Sequence, residues 1–398
     1  MSILTKYLRL ESSIWLLALA LGVNYFAGGL VSAFIMILLW KLGASFLNVG
    51  YVAALYNIAL AMSSFLGGSL SARFGAKKIF IISLLFGLAA VLSYGTANLL
   101  LSWFIVALGL FFGRLAWGFR MTSSFSVISS SADKEKRATA FGLVSTLGYV
   151  GAIIGPIAGG ILASFYGFSL PFLLAIPLVL ISVMLIFFKL EKGEVTSIRA
   201  VPSLVEVKKA VTIDKGVTVL ILLVILGQFF MEFGNPYYSI FLKSELNAKE
   251  YVIGLTESML SVGGLIIALP GGYLSDILKK RKPFLALGSL FATTGVGLTA
   301  FAFNPLMVTA TYFLFGLSNT LYITSLQAYF TDVAGKNKSI VFGVYQAMAW
   351  LAGIPAPPIA GFIAERYGLR GPFIVNLVGS LASLLLLLTL FAEKPIKS

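Results

Sequence analysis

Twelve apolar stretches separated by short polar breaks run through all 398 residues. They cover 13–39, 48–72, 79–97, 99–125, 138–165 and 168–188, then 216–242, 251–274, 283–303, 305–330, 340–364 and 372–391. Each is near or beyond the roughly 20 apolar residues that carry a helix across a bilayer. A soluble domain has roughly 25% charged residues; this chain has 11%, with 59% hydrophobic residues and a mean hydropathy of +0.98. A transmembrane β-barrel would alternate polar and apolar residues along each strand, and the unbroken runs argue against it. The chain therefore reads as an all-α membrane protein with twelve spans.

Function classes fall away with the residue inventory. Cysteine and histidine are both absent, so disulfides and thiolate or imidazole metal ligation are excluded. A membrane enzyme would be left with Ser–Lys or carboxylate chemistry, and no lysine stands inside an apolar run to serve it. No G-x-x-x-x-G-K-[ST] stretch offers a phosphate cradle. No metal or other cofactor is implied, and the chain is not read as an enzyme. Lys6 and Arg9 precede an apolar run as in a signal peptide, but that run is too long, lacks a convincing cleavage site, and is followed by eleven more. It is read as the first span.

The net charge of +14 would point to nucleic acid in a soluble protein; its placement points to topology. With the N-terminus in the cytoplasm, the inner segments hold 22 of the 29 basic residues, and the outer loops hold Lys41, Lys243, Lys249, Arg366 and Arg370. The remaining two, Arg114 and Arg120, stand in the fourth stretch. Positive loops stay inside, so both termini are placed in the cytoplasm of a multi-pass protein of the cell membrane. The one long charged gap divides the chain into 1–190, a cytoplasmic linker 191–215, and 216–398.

The halves repeat each other. RATAFG at 137–142 returns as KSIVFG at 338–343, and GPIAGG at 155–160 as PPIAGF at 357–362. Tyr166–Gly167 and Pro171–Phe172 match Tyr367–Gly368 and Pro372–Phe373 in nearly the same register. Parallel repeats related by an axis along the membrane normal belong to alternating-access carriers, with the substrate site between the halves.

Four motifs resemble those of the major facilitator superfamily, and the resemblance spans nearly the whole chain. GSLSARFGAKKI at 68–79 is similar to motif A, G-x-L-a-D-r-x-G-r-r, through Gly68, Arg73 and Gly75, with Ala72 where the acid is expected. The second half offers GYLSDILKKRK at 272–282, which has Asp276 but Lys279 in place of the later glycine. The resemblance implies a cytoplasmic gate latch and assigns it to Asp276. LFFGRLAWGFR at 110–120 is similar to motif B, with Arg114 and Gly118 in place and Trp117 replacing the usual glutamine. GAIIGPIAGG at 151–160 fits every position of g-x-x-x-G-P-x-x-G-G, the motif C of the family's antiporters, through Gly151, Gly155, Pro156 and Gly159. Small residues at that spacing permit close helix packing, and the proline removes a backbone hydrogen bond. The implied fold is two pseudo-symmetric six-helix bundles, in a protein that is by family habit a monomer.

Charged residues inside spans are functional-site candidates by default. Arg114 stands about 22 Å into its stretch and Glu232 about 24 Å into the seventh, counted at the helical rise; Glu257 lies in the eighth. Asn235–Pro236 should break the seventh helix, and broken helices commonly line transporter sites. A carboxyl group there can take up and release a proton as its surroundings alternate, so Glu232, then Glu257, is the candidate for proton coupling or cation binding. Asn24, Gln228, Asn319 and Tyr322, on helices that line the family's cavity, complete the candidate site, with Gln346 and Trp350 beside them. The resemblance implies a proton-coupled exporter of amphipathic organic compounds. The alternative is a proton-coupled importer of a small organic anion held by Arg114, since arginine clamps anions well.

Overall fold

The structure, a computed structural model, describes residues 12–131, 136–189, 212, 214–278, 280–334 and 338–393. Lys6, Arg9, Lys134, Lys279, Lys336, Lys394, Lys397 and nearly all of the linker lie outside them. So do the side chains of Ala72, Arg137, Asp276 and Lys338.

Among the described residues every regular element is a helix. Hydrocarbon offers no partner for a backbone N–H or C=O, so each span must satisfy its own. Nine spans are single helices: α3 (Phe46–Phe74), α4 (Ala76–Leu100), α5 (Trp103–Ser131), α6 (Arg137–Tyr166), α7 (Ser169–Lys189), α10 (Glu250–Leu278), α11 (Lys282–Ala300), α12 (Pro305–Ala334) and α15 (Arg370–Leu390). Three are broken in two: α1 (Ser12–Ser32) with α2 (Ile35–Lys41), α8 (Lys215–Gly234) with α9 (Tyr238–Ser244), and α13 (Lys338–Gly353) with α14 (Ala356–Tyr367). The twelve spans expected from the sequence are all present. The break at Asn235–Pro236 falls where the proline predicts it, whereas Pro156 sits inside the continuous α6.

Two turns give the repeat a structural form. α6 ends on Gly167 at φ +81° and α14 on Gly368 at φ +83°, conformations that a side chain strains. Gly75, at φ +91°, likewise turns α3 into α4.

Contacts gather the chain into two compact units that exchange segments between the sequence halves. One comprises Met1–Gly43, Ile58–Arg199 and Lys249–Ser258; the other comprises Ala44–Asn57, Ala200–Ala248 and Met259–Ser398. In the first, Leu17, Leu21, Phe80, Leu84, Val127 and Ile186 form a buried cluster. α6 lies against α1 so closely that a Cβ on Gly155 would stand 2.6 Å from the Phe26 carbonyl oxygen and 2.9 Å from Gly29 Cα. Gly151 and Gly159 repeat that approach one turn to either side, against Gly22 and Leu30. On another face, α6 meets the start of α10, where Ser258 Oγ donates to the Ile153 carbonyl at 2.7 Å. Gly68, by contrast, faces open space.

In the second unit Leu220, Leu285, Leu326, Tyr329, Phe330 and Leu387 form the core cluster. Its α11 begins at a built cap: Glu393, just past α15, accepts from the backbone N–H groups of Arg281 and of Lys282, the latter at 2.9 Å. The Arg281 side chain is buried, pairs with Asp332 on α12 at 3.2 Å and donates to Ser275 Oγ on α10 at 2.7 Å. Replacing Glu393 by Ala leaves two first-turn donors without their carboxylate. It is expected to cost about 1 kcal/mol, read as a lowered thermal midpoint of the detergent-solubilised protein.

Candidate functional site

Glu232 stands near the end of α8, three residues before the start of the Asn235–Tyr237 turn, and is 1% exposed. Three side-chain amides donate to it. Gln228, one helical turn earlier on the same face, reaches Oε1 at 3.0 Å; Asn235 in the turn reaches Oε1 at 3.2 Å; Asn57 on α3 reaches Oε2 at 3.1 Å. Asn57 also donates to the Gly353 carbonyl at 3.4 Å. Gly353 is the last residue of α13, and a Cβ there would stand 3.0 Å from Glu232 Cγ. The helix breaks after α8 and after α13 thus frame one buried carboxylate. Donors converging on both oxygens form an array suited to the anion, because an ionised carboxylate accepts at each oxygen.

The second charged centre lies on α5. Arg114 is half-buried, one turn after Gly109–Leu110, and is within Coulombic reach of Glu257 on α10 and of Tyr94 on α4. Its helix is fixed against α3 where Ser63 Oγ donates to the Arg114 carbonyl at 3.3 Å. Glu257 is half-buried in the first unit, so the structure brings two of the three intramembrane charges named from the sequence, Arg114 and Glu257, into one neighbourhood. Arg120 is engaged on α1: its Nη1 donates to Asn24 Oδ1 at 2.6 Å, and its guanidinium lies 5.6 Å from the Tyr25 ring centre. Asn24 is therefore occupied in tying α1 to α5.

The remaining candidates separate. Gln228 joins Glu232 directly. Tyr322 packs on the core cluster of the second unit, and Asn319, three residues before it on α12, is exposed. Of the motif residues, Gly75 makes the α3–α4 turn, Arg73 is exposed with its guanidinium 5.3 Å from the Phe74 ring centre, and Asp276 falls within α10. The ion pair described at that end of α10 is Arg281–Asp332. Asn57 was not singled out from the sequence. Its only signal there is an asparagine in the middle of an apolar stretch, on a helix outside those the family's cavity uses.

The chain matches the family described as the Major Facilitator Superfamily over residues 17–234 and 220–398. It is 26% identical over 375 residues to the "Multi-drug resistance efflux pump PmrA" of Streptococcus pneumoniae, covering 88% of this chain and 89% of that one. It is 25% identical over 351 residues to the "Multidrug resistance protein MdtG" of Salmonella typhi, covering 84% and 83%. Among solved structures, a mutant form of the nucleoside transporter NupG superposes with a TM-score of 0.79 at 14% identity, covering 96% of this chain and all of that one. The human organic anion transporter MFSD10 gives 0.64 at 12% identity, covering 95% and 100%. Twelve helical spans with a repeated half, charged groups buried within them, and a family match across both halves lead to one assignment: the chain is a multi-pass membrane transporter of small molecules belonging to the Major Facilitator Superfamily.

Proposed function

We propose that the protein is a proton-coupled exporter of amphipathic organic cations, working by alternating access in the cell membrane as a monomer with both termini in the cytoplasm. The observation that carries this reading is the buried Glu232 carboxylate beside two helix breaks, held by three amide donors. A site of that kind can exchange a proton for an organic cation, because both compete for the same negative charge. The relatives named as multidrug efflux and resistance proteins support the same direction, as does the match to motif C. In this scheme Gln228 and Asn235 orient Glu232, and Glu257 compensates Arg114 electrostatically.

The importer of organic anions is the second reading, and Arg114 is the residue that favours it. Glu257 weakens that argument, since it stands within Coulombic reach of Arg114 and a bound anion would have to share the arginine with it.

Proteoliposomes carrying an imposed pH gradient and a lumenal pH dye test the proposal. Tetraphenylphosphonium and ethidium are compared with small carboxylates, each against Arg114→Ala. Proton movement triggered by the cations, and still triggered by them in Arg114→Ala, is the expected result. A response confined to the carboxylates and abolished in Arg114→Ala would overturn it.

A further inference from the structure

The segment Ala44–Asn57, which belongs by contacts to the second unit, is fastened at both ends. At its start Glu365 Oε1 on α14 accepts from the Leu47 N–H at 3.0 Å. There the Tyr237 hydroxyl also lies 3.0 Å from the Phe46 carbonyl and 3.1 Å from that of Pro357, either of which can accept its proton. Gly50 and Gly361 complete this end by close packing of α3 and α14: Cβ atoms there would stand 2.9 Å from Pro358 Cα and 2.8 Å from Leu47 Cα. Ten residues later, about 15 Å along the helix, the other end is held by Asn57, which is 1% exposed and bonded to Glu232 and to the Gly353 carbonyl.

The two fastenings differ in kind. The first uses backbone packing, a hydroxyl and an exposed carboxylate. The second depends on one buried carboxylate, faced by Gln228 from α8, Asn235 from the following turn, Asn57 from α3 and the Gly353 backbone from α13. Tyr237, with Tyr56 and Glu365 within Coulombic reach of it, is the titratable group described at the opposite fastening. Hydrogen bonds to an ionised acceptor are roughly twice as strong as neutral ones, and a neutral acid replaces acceptor capacity with an O–H donor. Gln228 and Asn235 stay close to Glu232 in sequence whatever its charge. Asn57 donates from a distant helix.

We infer that Asn57 is a positioning residue through which the charge on Glu232 controls the α3 segment: the carboxylate clasps Ala44–Asn57 to α8 and α13, and neutralisation of that carboxylate by a proton or an organic cation releases it. This rests on the reading of Glu232 as the coupling acid. In the proposed orientation the segment lies toward the outer surface.

The absence of native cysteine makes a direct test available. Val49 lies within the clasped segment and is fully buried, so Val49→Cys in the full-length protein in nanodiscs reports release through its rate of labelling by a polar maleimide. Asn57→Ala is expected to raise that rate about tenfold, the loss of one hydrogen bond to a charged group. Glu232→Gln should raise it similarly, and the double variant no further than either alone. Tetraphenylphosphonium should accelerate labelling when Asn57 is present and have no effect in Asn57→Ala, a dependence that a packing role would leave intact. If Asn57→Ala fails to fold, Asn57→Leu, of similar shape, is read the same way. Tyr237→Phe, at the other fastening, should multiply with Asn57→Ala instead of saturating.

An unchanged rate in Asn57→Ala, or multiplicative effects of Asn57→Ala and Glu232→Gln, overturns the inference. If Glu232→Gln abolishes cation-driven proton movement while the Asn57 variants label as wild type, the clasp falls and the proposed function stands. If the labelling pattern holds but no organic cation is moved, the clasp stands and the exporter reading falls.

Discussion

Glu232→Gln is expected to reduce cation-triggered proton movement to the level of liposomes without protein, while leaving the folded protein in the membrane. Glutamine keeps the shape and one carbonyl acceptor, which Gln228 and Asn235 share at the Oε1 position, while Asn57 loses its acceptor at Oε2. It cannot bind or release a proton, and it presents no charge to a cation. The penalty to stability is that its amide N–H₂ faces other donors where Oε1 or Oε2 accepted, a mismatch costing about 1–3 kcal/mol for a buried group. Glu232→Ala goes further and strands three amide donors at once, so it should lower the thermal midpoint more than the glutamine variant. Cation binding that survives in Glu232→Gln with undiminished proton movement would remove Glu232 from the coupling role and shift attention to Glu257.

The spans were legible because hydrophobic length is a sufficient signal in a bilayer: lipid-facing and core-facing residues are both apolar, and the polar breaks mark the ends. Helix breaks were legible only where a proline announced them in isolation. Asn235–Pro236 did so. Pro355, Pro357 and Pro358 carry the same signal for the break between α13 and α14, but Pro357 and Pro358 enter the sequence reading only as part of the repeat PPIAGF. The break between α1 and α2, at Ala33–Phe34, has no proline or glycine within it and is set by packing, as Phe34 is fully buried against its surroundings and stacks edge-on with Phe168.

Within the site, Gln228 and Glu232 could be paired from their four-residue spacing alone. Asn57 could not, since it lies 175 positions from Glu232 and only tertiary packing brings them together. Asn24 shows the converse error of assigning function from helix number. An amide on the right helix was expected to face substrate, and Arg120 of α5 holds it instead.

The glycines of the family motifs make the sharpest separation between resemblance and physics. Gly155→Val is expected to destabilise the protein by about 1–3 kcal/mol or more, the range for overpacking a well-filled contact. Its Cβ would press on the Phe26 carbonyl and Gly29 Cα, both backbone atoms that cannot move aside without separating α6 from α1. Gly159→Val should act in the same direction against Leu30, since the two residues are one turn apart on the same face. Gly68→Ala predicts the opposite. Nothing in the structure approaches a Cβ at that position, the residue lies within α3, and alanine is the better helix former by about 1 kcal/mol. The three variants can be ranked by thermal unfolding of the purified protein. Equal losses at Gly68 and Gly155 would mean that motif membership, and not the distance to a neighbouring backbone, governs what these glycines do. A neutral or stabilising Gly68→Ala beside a collapsed Gly155→Val would confine the demand for glycine to the α1–α6 contact, where two helix backbones meet with no room for a side chain.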